Sequence, residues 1–179
     1  MSSLLKLSSG IDRLNQAVGK FTTWLILIVT LISAGNAIVR KAFNMSSNGL
    51  LEIQWYLFAA VVMLGASQVL RINEHVRVDV LYGLYGGRGQ AIVDLLGFIF
   101  FLMCSMSVLL YYSWPLFIRM YLSGEMSNNA GGLIRWPVML LLPVGFALIL
   151  LQGLSEIIKR LAWLNNSYDG DFHYERPLQ

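Results

Sequence analysis

The sequence predicts an all-α membrane protein with four transmembrane helices and an N-terminal amphipathic interfacial helix. Two observations carry that prediction. The stretches Phe21–Val39, Ile53–Leu70, Leu95–Ile118 and Trp136–Ser155 contain no Asp, Glu, Lys, Arg or His and run 19, 18, 24 and 20 residues. A helix rising 1.5 Å per residue needs about 20 apolar residues to cross a hydrocarbon core about 30 Å thick. Lipid offers the backbone no hydrogen bonds, so each block must satisfy its own as a helix. The second observation is that all five tryptophans fall at block ends: Trp55, Trp114 and Trp136 at one side, Trp24 and Trp163 at the other. Indole prefers the headgroup boundary, where an apolar ring and an N–H are both accommodated.

The elements follow in order. Before the first block, Leu4, Leu7, Ile11, Leu14, Val18 and Phe21 recur at three- and four-residue intervals, with Lys6, Asp12, Arg13 and Gln16 largely between them. That pattern predicts a helix lying on the cytoplasmic leaflet over residues 3–20. The four spans are expected over about 21–41, 51–71, 91–118 and 136–158. Together they form one domain over residues 1–164, with a polar tail over 165–179. The first span is too long for a cleaved signal peptide and reads as an uncleaved anchor. The third block is longer than a crossing needs, so it either tilts or extends past the bilayer around Tyr111–Pro115. In the fourth, Pro137 suits a helix start, and Pro143 inside the span predicts a bend. Small residues such as Ser33 and Ala37, or Ala59 and Ala66, allow close helix approach.

Charge assigns the sides. Nine Lys and Arg fall in the N-terminal segment, the second connection and the C-terminal tail, against four in the other two connections. Both termini are therefore expected in the cytoplasm, with residues 40–52 and 119–135 outside.

Composition excludes most chemistry. With 56% hydrophobic and 13% charged residues, no loop is long enough for a soluble catalytic domain. The net charge of +3 is distributed at span ends, which suits anionic phospholipid and not nucleic acid. Cys104, the single cysteine, forms no intrachain disulfide and is expected to be a small buried packing residue. No cofactor or metal is expected. A membrane haem needs paired histidines on facing helices, whereas His75 and His173 lie in a connection and the tail. A carrier keeps ionisable groups near the membrane midplane, yet the mid-span polarity here is limited to hydroxyls such as Thr30, Ser105 and Ser107, which bond back to their own helix. An enzyme is not expected. The Asn-x-Ser matches at Asn44 and Asn165 carry no weight.

Two polar clusters remain. Arg71–Asp79 follows the second span, and if the helix continues, Gln68, Arg71 and His75 share a face. Either this run fixes spans two and three to each other and to a partner, or its charges simply reach the interface. The second cluster, Ser123–Pro137, combines glycines and asparagines with Glu125 and Arg135. It either docks a partner or only connects two helices.

The order of these segments resembles the small membrane (Q) subunit of tripartite ATP-independent periplasmic (TRAP) transporters. The resemblance rests on Glu52-Ile53-Gln54-Trp55-Tyr56-Leu57-Phe58, Leu64-Gly65-Ala66-Ser67 and the Arg71–Asp79 run with His75-Val76-Arg77-Val78-Asp79. It continues through Asn129-Ala130-Gly131-Gly132-Leu133-Ile134-Arg135-Trp136-Pro137, Pro143-Val144-Gly145-Phe146 and Leu151-Gln152-Gly153. Ala130 and Ile134 depart from the family pattern, where proline is common. The resemblance implies an accessory subunit in the bacterial inner membrane. It also implies a large membrane subunit carrying the sodium and substrate sites, and a periplasmic binding protein delivering an organic acid. On that reading, Glu52, Gln54, Arg71, His75, Arg77 and Asp79 are candidate subunit-interface or structural residues. Glu125, Asn128, Asn129 and Arg135 are candidates for docking the binding protein. A standalone transporter or channel and a membrane electron-transfer subunit are the competing function classes.

Overall fold

The computed structural model describes residues 2–44, 47–73 and 85–168. Among these the chain is helical, with four helices long and apolar enough to cross a membrane: α1 (Ser2–Phe43), α2 (Asn48–Arg71), α3 (Gly87–Ser123) and α4 (Trp136–Leu164). The helix α4 is central and packs against the other three, whereas α3 meets the bundle chiefly through α4. Its apolar stretch is accordingly 33% buried, against 6% for that of α3.

Helix α1 differs from the expected pair of elements. It runs unbroken for 42 residues, with no boundary near residue 20. At 1.5 Å per residue that is about 63 Å, twice a hydrocarbon core. Its buried line is Ser8, Ile11, Asn15, Gly19, Thr22 and Leu25, at three- and four-residue spacing. Leu4, Leu7, Leu14 and Phe21 remain exposed, so the face turned into the bundle over this segment is mostly polar.

Helix α3 carries a π-helical stretch, Gly97–Met103, between α-helical segments Gly87–Leu96 and Cys104–Ser123. It continues through Pro115 to Ser123, ending where Gly124 adopts a left-handed φ of 60°. That conformation terminates a helix at little cost only for glycine. Cys104 is exposed, correcting the packing role expected for it. It lies on the outer side of α3, and its thiol contacts the helix's own Ile99 carbonyl at 3.6 Å.

The closest helix approaches use glycines, not Ser33 and Ala37, which are exposed. A Cβ on Gly145 would stand 2.7 Å from the Met63 carbonyl oxygen, so the α2 and α4 backbones nearly touch. One on Gly153 would stand 2.6 Å from Leu102, closing the seam between α3 and α4. Within the spans, Thr30 and Ser105 hydroxyls donate to the carbonyls of Ile26 and Phe101 at 2.8 and 2.6 Å. These bonds satisfy polar groups without calling on another helix.

Candidate functional site

Polar chemistry gathers at the two ends of the bundle. The end nearer the chain's N-terminus holds a network built from α1, α3 and α4. On α4, Gln152, Ser155, Glu156 and Lys159 repeat at three- and four-residue intervals and so share a face. That face meets Ser8, Asp12 and Asn15 of α1. Asn15 Nδ2 donates to Gln152 Oε1 at 2.7 Å, and Gln152 Nε2 donates to Asp12 Oδ1 at 2.9 Å. The Ser155 hydroxyl donates to Asp12 at 2.8 Å, and the Ser8 and Ser155 hydroxyls lie 2.7 Å apart. Lys159 pairs with Asp12 at 3.1 Å and also with Glu156.

Arg160 extends the network to α3. It is 2% exposed, and its guanidinium reaches Glu156 at 2.5 Å and Asp94 at 2.9 Å. It also lies 4.5 Å from the centroid of the Phe98 ring, a cation–π geometry. Asp94, Phe98 and Leu102 are four residues apart on α3, so one stripe meets both Arg160 and Gly153. Burial raises the Asp12 carboxyl pKa. The Gln152 hydrogen bond, the Lys159 charge and the Ser155 hydroxyl outweigh burial and hold it below its ordinary value of 3.8.

The opposite end is organised by Glu52, in the second turn of α2 and 3% exposed. It accepts from the Asn129 side chain and from the Leu133 backbone N–H, each at 2.7 Å, and from the Ser127 hydroxyl. These donors come from the connection between α3 and α4, which folds back on itself. Ser127 N–H donates to Leu133 O at 2.9 Å, and Arg135 N–H donates to Glu125 O at 3.0 Å. Met126 and Ile134 form an antiparallel bridge. Arg135 and Glu125 pair through their side chains at 2.5 Å, both partly exposed. Asn48 Nδ2 on α2 donates to Ala130 O at 3.1 Å.

The structure therefore brings Glu52 and Asn129 together, pairs Glu125 with Arg135 and leaves Asn128 exposed. Gln54 stands nearby on α2, its Nε2 buried without a partner. Helix α2 stops at Arg71, and Asn73 takes a left-handed φ of 62°, so the helical face projected from Gln68 to His75 is interrupted. Arg71 donates to Gln68 at 2.9 Å. His75, Arg77 and Asp79 lie outside the described residues. The sequence reading passed over Asp12, Asn15, Gln152, Glu156 and Arg160 as site residues. Their signal was a polar stripe on each of α1 and α4, at helical spacing.

Four apolar helices, pinned by polar networks at both ends, define a multi-pass integral membrane protein. Comparison with protein families then gives its kind: the chain belongs to the DctQ component family of the tripartite ATP-independent periplasmic transporters, whose family model matches residues 25–162. It is a small (Q) subunit of a TRAP transporter. The family is a transporter component, acting with a large membrane subunit and a binding protein, and not an enzyme family. No curated protein and no solved structure matches the chain significantly.

Proposed function

We propose that this chain is the immobile scaffold subunit of a sodium-coupled importer of an organic acid in a bacterial inner membrane, both termini facing the cytoplasm. The observation that carries the reading is the use made of its buried charges. Lys159 with Asp12 binds α4 to α1, Arg160 with Asp94 binds α4 to α3, Glu156 braces both cations from within α4, and Glu52 binds a helix to a loop. Groups spent on holding one geometry suit a frame against which another subunit moves. The N-terminal part of α1 enlarges that frame as an unbroken extension of the first span, with Leu4, Leu7, Leu14 and Phe21 on its exposed side.

The large subunit packs on α3, which among the described residues meets the bundle chiefly through α4 and exposes Phe101, Tyr111, Tyr112 and Leu122. A groove of about 610 Å³ between α3 and α4, lined by Leu110, Trp114, Pro115 and Val144, receives one of its side chains. Arg71, His75, Arg77 and Asp79, which fall in sequence between α2 and α3, are further candidates for that interface, whereas Gln54 lies on the α1 side of α2. The loop held by Glu52 presents Glu125, Asn128, Asn129 and Arg135 to the binding protein.

Co-purification tests the reading. Val144→Trp, which fills the groove, should reduce recovery of the large subunit on tagged chain, while Leu31→Trp on exposed α1 should not. Equal recovery with both variants contradicts the interface.

A further inference from the structure

The cleft between α1 and α2, at the Glu52 end, has two adjoining parts of opposite character. One part, about 530 Å³, is walled by Ile26, Val29, Trp55, Phe58 and Val61. The other part, about 500 Å³, is walled by Asn36, Arg40, Lys41 and Asn44. Ser33 and Gln54 line both, so the two hollows adjoin and the lining changes from apolar to cationic across them.

Three features at the junction call for a ligand. Asn36 is 8% exposed, and its Oδ1 has no hydrogen-bond partner. Gln54 Nε2 is likewise buried and unpartnered. Arg40 and Lys41 take part in none of the ion pairs among the described residues, and no acidic residue lines either part of the cleft. A buried donor and a buried acceptor without partners are destabilising, and native structures rarely leave them so.

We infer that this cleft is a binding site for an anionic phospholipid with a glycerol headgroup. Acyl chains occupy the apolar part, where Trp55 and Phe58 are otherwise exposed. The phosphodiester, carrying one negative charge, meets Arg40 and Lys41. An ester carbonyl or phosphate oxygen accepts from Gln54 Nε2, and a headgroup hydroxyl donates to Asn36 Oδ1. Choline lacks that donor, and its fixed positive charge is repelled by the two cations, so the chemistry discriminates between headgroups. The site needs only the chain's own fold; its leaflet, the periplasmic one, follows from the proposed orientation.

The test is native mass spectrometry of the delipidated full chain titrated with phosphatidylglycerol or phosphatidylcholine of identical acyl chains. Each cation near an anionic lipid is worth a factor of about five, so the preference for phosphatidylglycerol should be about thirtyfold. The pair Arg40→Ala with Lys41→Ala should abolish that preference, whereas Arg119→Ala, an exposed cation elsewhere, should leave it intact. Val61→Trp should block both lipids with the cations untouched, which covers the case of a double variant that folds poorly. Equal affinity for the two lipids, or a preference that survives the double variant, overturns the site. Displacement of bound lipid by inorganic phosphate alone overturns the lipid assignment in favour of a free-anion site. Absence of lipid from the intact transporter, with the cleft filled by a partner's acidic side chain, also overturns it.

Discussion

Replacing Arg160 by methionine should be among the most damaging single changes in this chain. Arg160 is 2% exposed, and its partners Glu156 and Asp94 have side chains 6% and 15% exposed. Methionine fills the space along Phe98 but offers nothing to either carboxylate. Removing one member of a buried ion pair costs about 3–5 kcal/mol, chiefly because charge is left buried without its partner. For a chain of this length each kcal/mol corresponds to about 2–4 °C in the unfolding midpoint, so the loss should be about 6–20 °C. Arg160→Lys should fall between, since an ammonium keeps the charge but lacks the planar fork that reaches both acids. The assay is thermal unfolding in detergent, with Arg119→Met as the exposed control. An Arg160→Met midpoint within about 2 °C of wild type would refute the reasoning, because it would put the network in the range of solvated surface pairs.

Asp12 sets a different expectation. Its folded pKa lies below the ordinary 3.8, so its stabilisation is complete above that value and is lost as pH falls through the depressed one. The unfolding midpoints of wild type and Asp12→Asn should therefore differ by a constant amount between about pH 5 and 8 and converge below about pH 4; a difference that varies between pH 5 and 7 contradicts the assignment. Glu52→Gln puts a donor among three donors and should release the connection between α3 and α4. Limited proteolysis over residues 124–135 should accelerate while helix content stays constant, and unchanged cleavage would show that the clamp is dispensable. Labelling of intact cells, with Cys104 replaced, should mark a cysteine placed at Asn128 and spare one at Asn166; the reverse pattern inverts the orientation.

The four spans were legible because lipid imposes a simple rule, and uncharged blocks near the required length satisfy it. The face of α1 was harder to read. Periodicity marks an apolar stripe, but a helix between lipid and protein can bury its polar stripe instead, and Ser8, Asn15 and Thr22 are buried here. The network at the N-terminal end of the bundle joins residues about 140 positions apart, Asp12 and Asn15 with Gln152, and only packing sets that pairing. Lys159 and Arg160 served as topology signals in the sequence, a role that hides their ion pairs. Glu52 was singled out, but its donors come from a loop whose fold-back depends on Gly124 and Gly131, both at positive φ. Cys104 misled because small residues pack well in bundles, whereas Leu102 and Met103 face Gly153 of α4 and leave Cys104 exposed.

The scaffold role is tested most directly by flux through the intact transporter in proteoliposomes, assayed with its binding protein and that protein's organic acid. Complexes carrying Glu52→Gln, Asp12→Asn or Arg160→Lys should lose maximal rate only in proportion to assembled transporter, with KM and sodium dependence unchanged. A variant that assembles to wild-type abundance yet shifts KM or sodium dependence would place this chain inside the transport cycle and contradict the scaffold role.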